Sequence, residues 1–292
     1  MAKNLTTIIK SPAKQVSISR DKGYVIIGER INPTGRKTLQ AELKEGKFDM
    51  VRRDAVAQLE AGAAVLDVNA GLPRADEAAL MIQMIHEVRD AAGDPPICID
   101  TANPKTLEAA LASYCKDGGK PLVNSVTAET KSLKEILPLI KQYGAAVIGL
   151  VSGDAGIPKT AEERLANADR IMDEAAKIGL PAEDVVIDCL VITLGAKWDA
   201  GHMILNAIRT IVEKYGVNIT MGASNISFGM PDRENLTATF LAMASVVGLT
   251  CPICNPLKLQ EVVSLEAADL ILSRDPDGMR WIQGFRARKN RS

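Results

Sequence analysis

Aromatic residues make up only 3 % of this 292-residue chain, and there are just two histidines, His86 and His202. Five cysteines are an odd number, so they cannot all pair. They sit mainly in apolar runs, which excludes a disulfide scaffold and fits reduced, buried thiols in a cytoplasmic protein. No run of about 18 apolar residues occurs, so no spanning helix is expected. The N-terminus lacks the apolar core of a secretion signal. Charge of neither sign dominates: the net charge is −1 and the pI is near 6.2. Nothing therefore draws the whole chain to nucleic acid or to an anionic membrane, and neither is expected as a partner. The basic stretch RARKNR (286–291) reads as a solvated end.

What is present is aliphatic. Hydrophobic residues make up 47 %, mostly Ala, Val, Ile and Leu, a mixture that suits parallel strands buried on both faces and covered by helices. Eight short apolar runs recur: YVIIG (24–28), AAVLDVNA (63–70), PPICID (95–100), KPLVNSV (120–126), AAVIGLV (145–151), DVVIDCL (184–190), NITMGASN (218–225) and TCPICNP (250–256). Helical patterns fall between them. Residues 160–178 set Leu165, Ala168, Met172, Ala175 and Ala176 on one stripe. Thr160 with Glu163, and Ser132 with Glu135, read as capping boxes. Asn103-Pro104 reads as an N-cap followed by proline at the first helical position. Gly62, Gly93, Gly144, Gly179, Gly216 and Gly248 each stop a helix shortly before the next strand. Right-handed crossovers leave an open doubly wound sheet or a closed barrel. Eight units in this length favour a single α/β domain over 1–292, a (β/α)8 TIM barrel, with a lead-in (1–23) and a tail (273–292).

Polar groups gather where these runs end. VIIGERINPTGRK (25–37) passes from apolar residues into Glu29, Arg30 and Asn32; later runs carry Asp67, Asn69, Asp100, Asn124, Asp188, Ser224 and Asn225. One Asp or Asn after a strand ordinarily caps the next helix. That reading struggles with the whole set, because burying carboxylates without partners costs several kcal/mol each. In a barrel, the C-terminal strand ends form the active-site face. Metal ligands are few. His86 lies in a helical pattern that packs on the sheet or faces solvent, and His202 stands at a helix start. CPIC (251–254) is a lone pair inside an apolar run, read as strand thiols. No metal site is expected. GxSxG, Walker and post-strand GxGxxG motifs are missing. An array of Asp and Asn without metal suits a flat heteroaromatic ring edged with donors and acceptors.

GERINPTGRK, LDVNAG, ICIDTANPKTLEAAL, LVNSVTAE, VVIDCL and ASNISFGMPDRENLTATFLAMA together resemble the pterin-binding methyltransferases, from about Tyr24 to about Leu272. That family includes methyltetrahydrofolate:corrinoid/iron-sulfur protein methyltransferases, the folate domain of cobalamin-dependent methionine synthase, and tetrahydrofolate methyltransferases of demethylase systems. The resemblance implies a pterin-binding TIM barrel, a homodimer, and a transient partner that carries a corrinoid (cobalamin). A methyl group would pass between its cobalt and N5 of tetrahydrofolate or 5-methyltetrahydrofolate. It also implies that Asp100, Asn124 and Asp188 bond the pterin ring and that Gly222 and Ser224 line its pocket. Asn225 would contact N5, and Glu29, Asn32, Asp67 and Asn69 would form the inner rim. Asn225, Asp100 and Asp188 would carry catalysis.

The chain departs from the family at several places, a longer N-terminal lead-in among them. Phe228 stands where close relatives carry a pterin-contacting Gln, and VITLGAKWDAG (191–201) is unlike the acetogen enzymes. Both point toward a demethylation system, with transfer from methyl-corrinoid to tetrahydrofolate. The alternatives are transfer to a corrinoid iron-sulfur protein in acetyl-CoA synthesis, a dihydropteroate synthase and a silent folate-binding subunit. The synthase needs a lysine after the seventh run, and residues 223–227 have none.

Overall fold

A computed structural model describes residues 2–289. The chain opens with an antiparallel hairpin of β1 (Thr7–Lys10) and β2 (Gln15–Ile18). The barrel strands are β3 (Ile26–Ile31), β4 (Ala63–Asn69), β5 (Ile97–Asp100), β6 (Leu122–Ala128), β7 (Ala146–Gly153), β8 (Val185–Asp188), β9 (Asn218–Thr220) and β10 (Ile253–Cys254). Each falls on one of the eight apolar runs. Their order is β10-β3-β4-β5-β6-β7-β8-β9, and every pair is parallel. The last seam closes through Thr250 N–H to the Ile219 carbonyl (3.1 Å) and Ile253 N–H to the Met221 carbonyl (2.9 Å). The fold is a (β/α)8 barrel.

The helices are α1 (Lys37–Lys44), α2 (Asp49–Glu60), α3 (Glu77–Ala92), α4 (Pro104–Cys115), α5 (Thr130–Tyr143), α6 (Ala161–Lys177), α7 (Ala200–Tyr215), α8 (Arg233–Val247), α9 (Leu259–Ile271) and α10 (Met279–Lys289). None among the described residues is long and apolar enough to cross a membrane. Local signals explain most helix ends. Asn103 Oδ1 accepts from Lys105 N–H ahead of Pro104, and Gly93, Gly144 and Gly216 take the left-handed conformation that ends α3, α5 and α7. Thr160 caps α6 by accepting from Glu163 N–H (3.1 Å). The Ser132–Glu135 box does not form. Asp154 takes Thr130 N–H (2.9 Å), so α5 begins earlier, and Ser132 accepts from Thr127 N–H instead.

The strands bury both faces. Outward side chains such as Leu66, Val123, Val147 and Ile187 pack on the helices. Inward ones, among them Ile27, Val65, Cys98, Leu122, Ile148, Val186 and Cys251, form a separate column inside the barrel. Ile9 and Ile18 of the hairpin, both fully buried, join that column. The expected lead-in is therefore a plug. Thr7 Oγ1 donates to the Glu183 carbonyl (2.6 Å), and Asn218 Nδ2 donates to the Ile18 carbonyl (2.9 Å), tying plug to barrel. Much of the expected tail is helix α10; Asn290 and Arg291 of the basic stretch lie outside the described residues.

With one end of the barrel closed by the plug, only the other end is open to a ligand. Ile18→Ala is expected to cost about 2–5 kcal/mol in urea unfolding. An unchanged midpoint would show that the plug does not complete the core.

Candidate active site

The stretch GERIN forms the end of β3. Gly28 pairs with Leu66 and Ile31 with Val68, so three steps on β3 face two on β4. This is a bulge, which leaves one backbone group unpaired. Gln58 of α2, fully buried, repairs the loss: its Oε1 accepts from Arg30 N–H at 2.8 Å. Gly28 makes room, because a Cβ there would lie 2.6 Å from Gln58 Oε1. The bulge aims Glu29 and Arg30 into a chamber of about 530 Å³ between the ends of β3 and β10 and the starts of α8 and α9. Ser224, Arg233, Lys258 and Glu261 also line it. Burial and the neighbouring Glu29 push Glu261 up to about 7. Asn32 turns elsewhere, with its Oδ1 accepting from Thr34 N–H (2.8 Å).

The next strands end in register, with Asn69 beside Asp100 and Asp100 beside Asn124. Residues paired this way point to one face, so their side chains meet. Asn69 Nδ2 donates to Asp100 Oδ2 (3.0 Å), and Asn124 Nδ2 donates to Asp67 Oδ1 (3.3 Å). Asn69 Oδ1 accepts from Gly71 N–H (2.8 Å). Asp67 and Asp100 are close enough to interact, and a charge on Asp100 disfavours ionisation of Asp67 alongside it. Burial first, then the Asp100 carboxylate, pushes Asp67 well above the usual carboxylate range; burial also raises Asp100.

Asp188 ends β8 with 8 % exposure. Burial raises its carboxyl to about 7, against a hydrogen bond from Leu190 N–H (2.8 Å) that favours the ionised form. Leu190 adopts a left-handed φ of 54° to make that bond. Arg164 of α6 fixes the turn from behind. Fully buried, it donates to the carbonyls of Cys189 (2.9 Å), Leu190 (3.3 Å), Pro158 (2.8 Å) and Thr160 (3.2 Å). After β9, residues Ala223–Ser227 form a 3-10 turn that presents Asn225 to solvent. Gly222 lies beneath it, where a Cβ would sit 3.0 Å from Asn225 Nδ2.

The comparisons bear on what this mouth holds. The model of the family described as pterin binding enzyme matches residues 28–255. A methylcorrinoid:tetrahydrofolate methyltransferase of Eubacterium limosum is 32% identical over 274 residues, covering 91% of this chain and 97% of the relative. The chain belongs to the pterin-binding enzyme family. Within it, the chain stands with the corrinoid-linked methyltransferases. Solved structures agree on the fold. A Yersinia pestis DHPS with a pterine-sulfa conjugate superimposes with a TM-score of 0.66 at 12% identity, covering 91% of this chain and 100% of that one. The 7,8-dihydropteroate synthase of Vibrio fischeri gives 0.65 at 16% identity, covering 92% and 99%.

In this pterin-binding enzyme, the residues picked out by sequence divide into three groups. Asp67 with Asn124 and Asp100 with Asn69 form two bonded pairs on adjacent strands, and Asp188 stands on a strand further round the same mouth. Gly222 and Asn225 occupy the turn after β9. Glu29 and Ser224 line the chamber between β3, β10, α8 and α9. His86 and His202 are both exposed on helices, and Cys251 and Cys254 are buried thiols that burial pushes up, Cys251 to about 12. No cluster of three or more potential metal ligands occurs among the described residues.

Sequence reasoning missed Gln58, Arg164 and Glu261. The stripe expected on α6 is shifted: Ala168, Met172 and Ala175 are buried, but Ala176 is exposed and Arg164 is buried in line with them. A polar residue in step with an apolar stripe is the one signal that could have found Arg164.

Asp188 yields a pH prediction. Its native pKa near 7 exceeds the unfolded value near 3.8. The native state thus binds more protons in between, and this group's contribution to stability falls as pH rises from about 4 to about 7. Asp188→Asn should gain on the wild type over that window in urea titrations. Parallel profiles would refute the raised value.

Proposed function

We propose that this enzyme transfers a methyl group from a methyl-corrinoid, carried on a partner protein, to N5 of tetrahydrofolate. The observation that carries the reading is the set of Asp100, Asn124 and Asp188 at the open end of the barrel, short of cations and rich in acceptors. An ionised carboxylate there accepts the N–H groups of a pterin's 2-amino-pyrimidinone edge, and the Asn124 amide matches its donor–acceptor pairs. The name of the Eubacterium limosum relative supports both the methyl donor and the acceptor.

The chemistry needs no protein nucleophile. The N5 lone pair attacks the methyl carbon, the cobalt–carbon electron pair stays on cobalt, which falls from Co(III) to Co(I), and N5 releases its proton to water. What the chain supplies is position and charge stabilisation. Asp100 and Asp188 hold the ring in register. Asn225, exposed on its turn, reaches N5 and reorients as N5 changes charge. By microscopic reversibility the same groups serve the opposite transfer. The homodimer belongs to the same proposal: Met243 and Val246 on α8, Ile271 on α9, and Ile282 and Phe285 on α10 are exposed apolar side chains that a second copy would cover.

A synthase reading lacks its basic group, since Ala223–Ser227 carries no lysine. Incubation with dihydropterin diphosphate and aminobenzoate should give no pteroate.

Asn225→Ala should slow transfer between methylcobalamin and tetrahydrofolate by roughly 10- to 1000-fold while tetrahydrofolate binding survives in part. An unchanged rate removes Asn225 from the mechanism. Loss of reduced-folate binding would instead make it a binding residue.

A further inference from the structure

Three large apolar side chains stand in water on consecutive loops of the mouth. Ile157 follows β7 and is 60% exposed; Trp198 follows β8 and is 87% exposed; Phe228 follows β9 and is 66% exposed. In a chain with only two tryptophans, one placed almost wholly in solvent is a poor use of apolar surface for folding.

The loops that carry them are not loose. Lys197 Nζ donates to the Lys159 carbonyl (2.8 Å), joining the loops after β8 and β7. Leu194 N–H donates to the Ile226 carbonyl (3.0 Å), and Thr193 Oγ1 donates to the Phe228 carbonyl, joining the loops after β8 and β9. Arg164 binds the first two loops from below through Pro158 and Cys189. The three apolar groups therefore sit on one braced ledge. It runs from beside Asp188 to the turn that holds Asn225.

We propose that this ledge is the docking surface for the corrinoid-bearing protein, with Trp198 as its main anchor. The inference rests on the function proposed above. The methyl group must arrive at the mouth, and its carrier is too large to enter, so the carrier must rest on the rim. The ledge is the part of the rim continuous with both Asp188 and Asn225. Its bracing removes much of the ordering cost of association, and an exposed indole is the side chain best suited to anchor a protein contact.

The test compares two methyl donors: free methylcobalamin, and a purified corrinoid protein of a demethylase system loaded with methylcobalamin. Trp198→Ala, alone and with Ile157→Ser, should raise KM for the loaded protein by roughly tenfold or more. The rate with free methylcobalamin and the Kd for tetrahydrofolate should stay within about twofold, since neither uses the anchor. Trp198→Phe should restore most of the loss. Equal losses with both donors would place Trp198 on the corrin itself and overturn the proposal, as would no loss with the protein donor. A change in oligomeric mass on Trp198→Ala would assign the ledge to a second copy of this chain and overturn it too. If the wild type transfers no methyl group from free methylcobalamin, the proposed function itself fails, and the ledge falls with it.

Discussion

Asp67 and Asp188 are buried and Asp100 half-buried at one end of the barrel, all three carboxyl groups without an ion pair among the described residues. Burial raises all three, and the protein holds them through neutral donors instead of counter-charges. Asn69, Asn124 and the Leu190 N–H meet part of their hydrogen-bonding demand. The remainder faces the mouth. Without a cation, such groups stay ready for a neutral ligand rich in N–H; a fixed guanidinium would compete with it.

This arrangement explains polar features far from any ligand. Arg164 is a buried charge satisfied only by backbone carbonyls and the Met203 sulfur. It takes up the carbonyls left unpaired where β8 breaks off, and so holds the turn that bonds Asp188. Gln58 performs the matching task at β3, where the bulge frees Arg30 N–H. In both cases a helix behind the sheet completes the hydrogen bonding of a strand end that has stopped pairing, because buried backbone groups must find partners. At the other end, the hairpin plug fills the column with Ile9 and Ile18. At the plug end the few buried polar groups, such as Thr7 and Asn218, are bonded to one another and to backbone, whereas the acceptors at the mouth are left open toward it.

The fold was legible because its signals are local and repeated. Strand runs, Asn103-Pro104 and the glycines after α3, α5 and α7 each act within a few residues, and the structure follows them. The Ser132 box failed because a residue outside the local window, Asp154, reached Thr130 first. The hairpin escaped notice because two four-residue strands carry too little pattern, and their partner is the inside of a barrel that the linear sequence does not display.

The amino-acid order alone determined the eight strand units, the polar character of their ends and the presence of Asp100, Asn124, Asp188 and Asn225 among those ends. Only the tertiary structure decided that Asp67 and Asp100 are brought together and raised by burial, that Glu29 lines a chamber with Glu261, and that Trp198 stands on a braced ledge. The reason is range: strand and helix periods are set by neighbours a few residues apart, whereas a buried carboxyl's proton and a loop's bracing depend on groups brought together from distant strands.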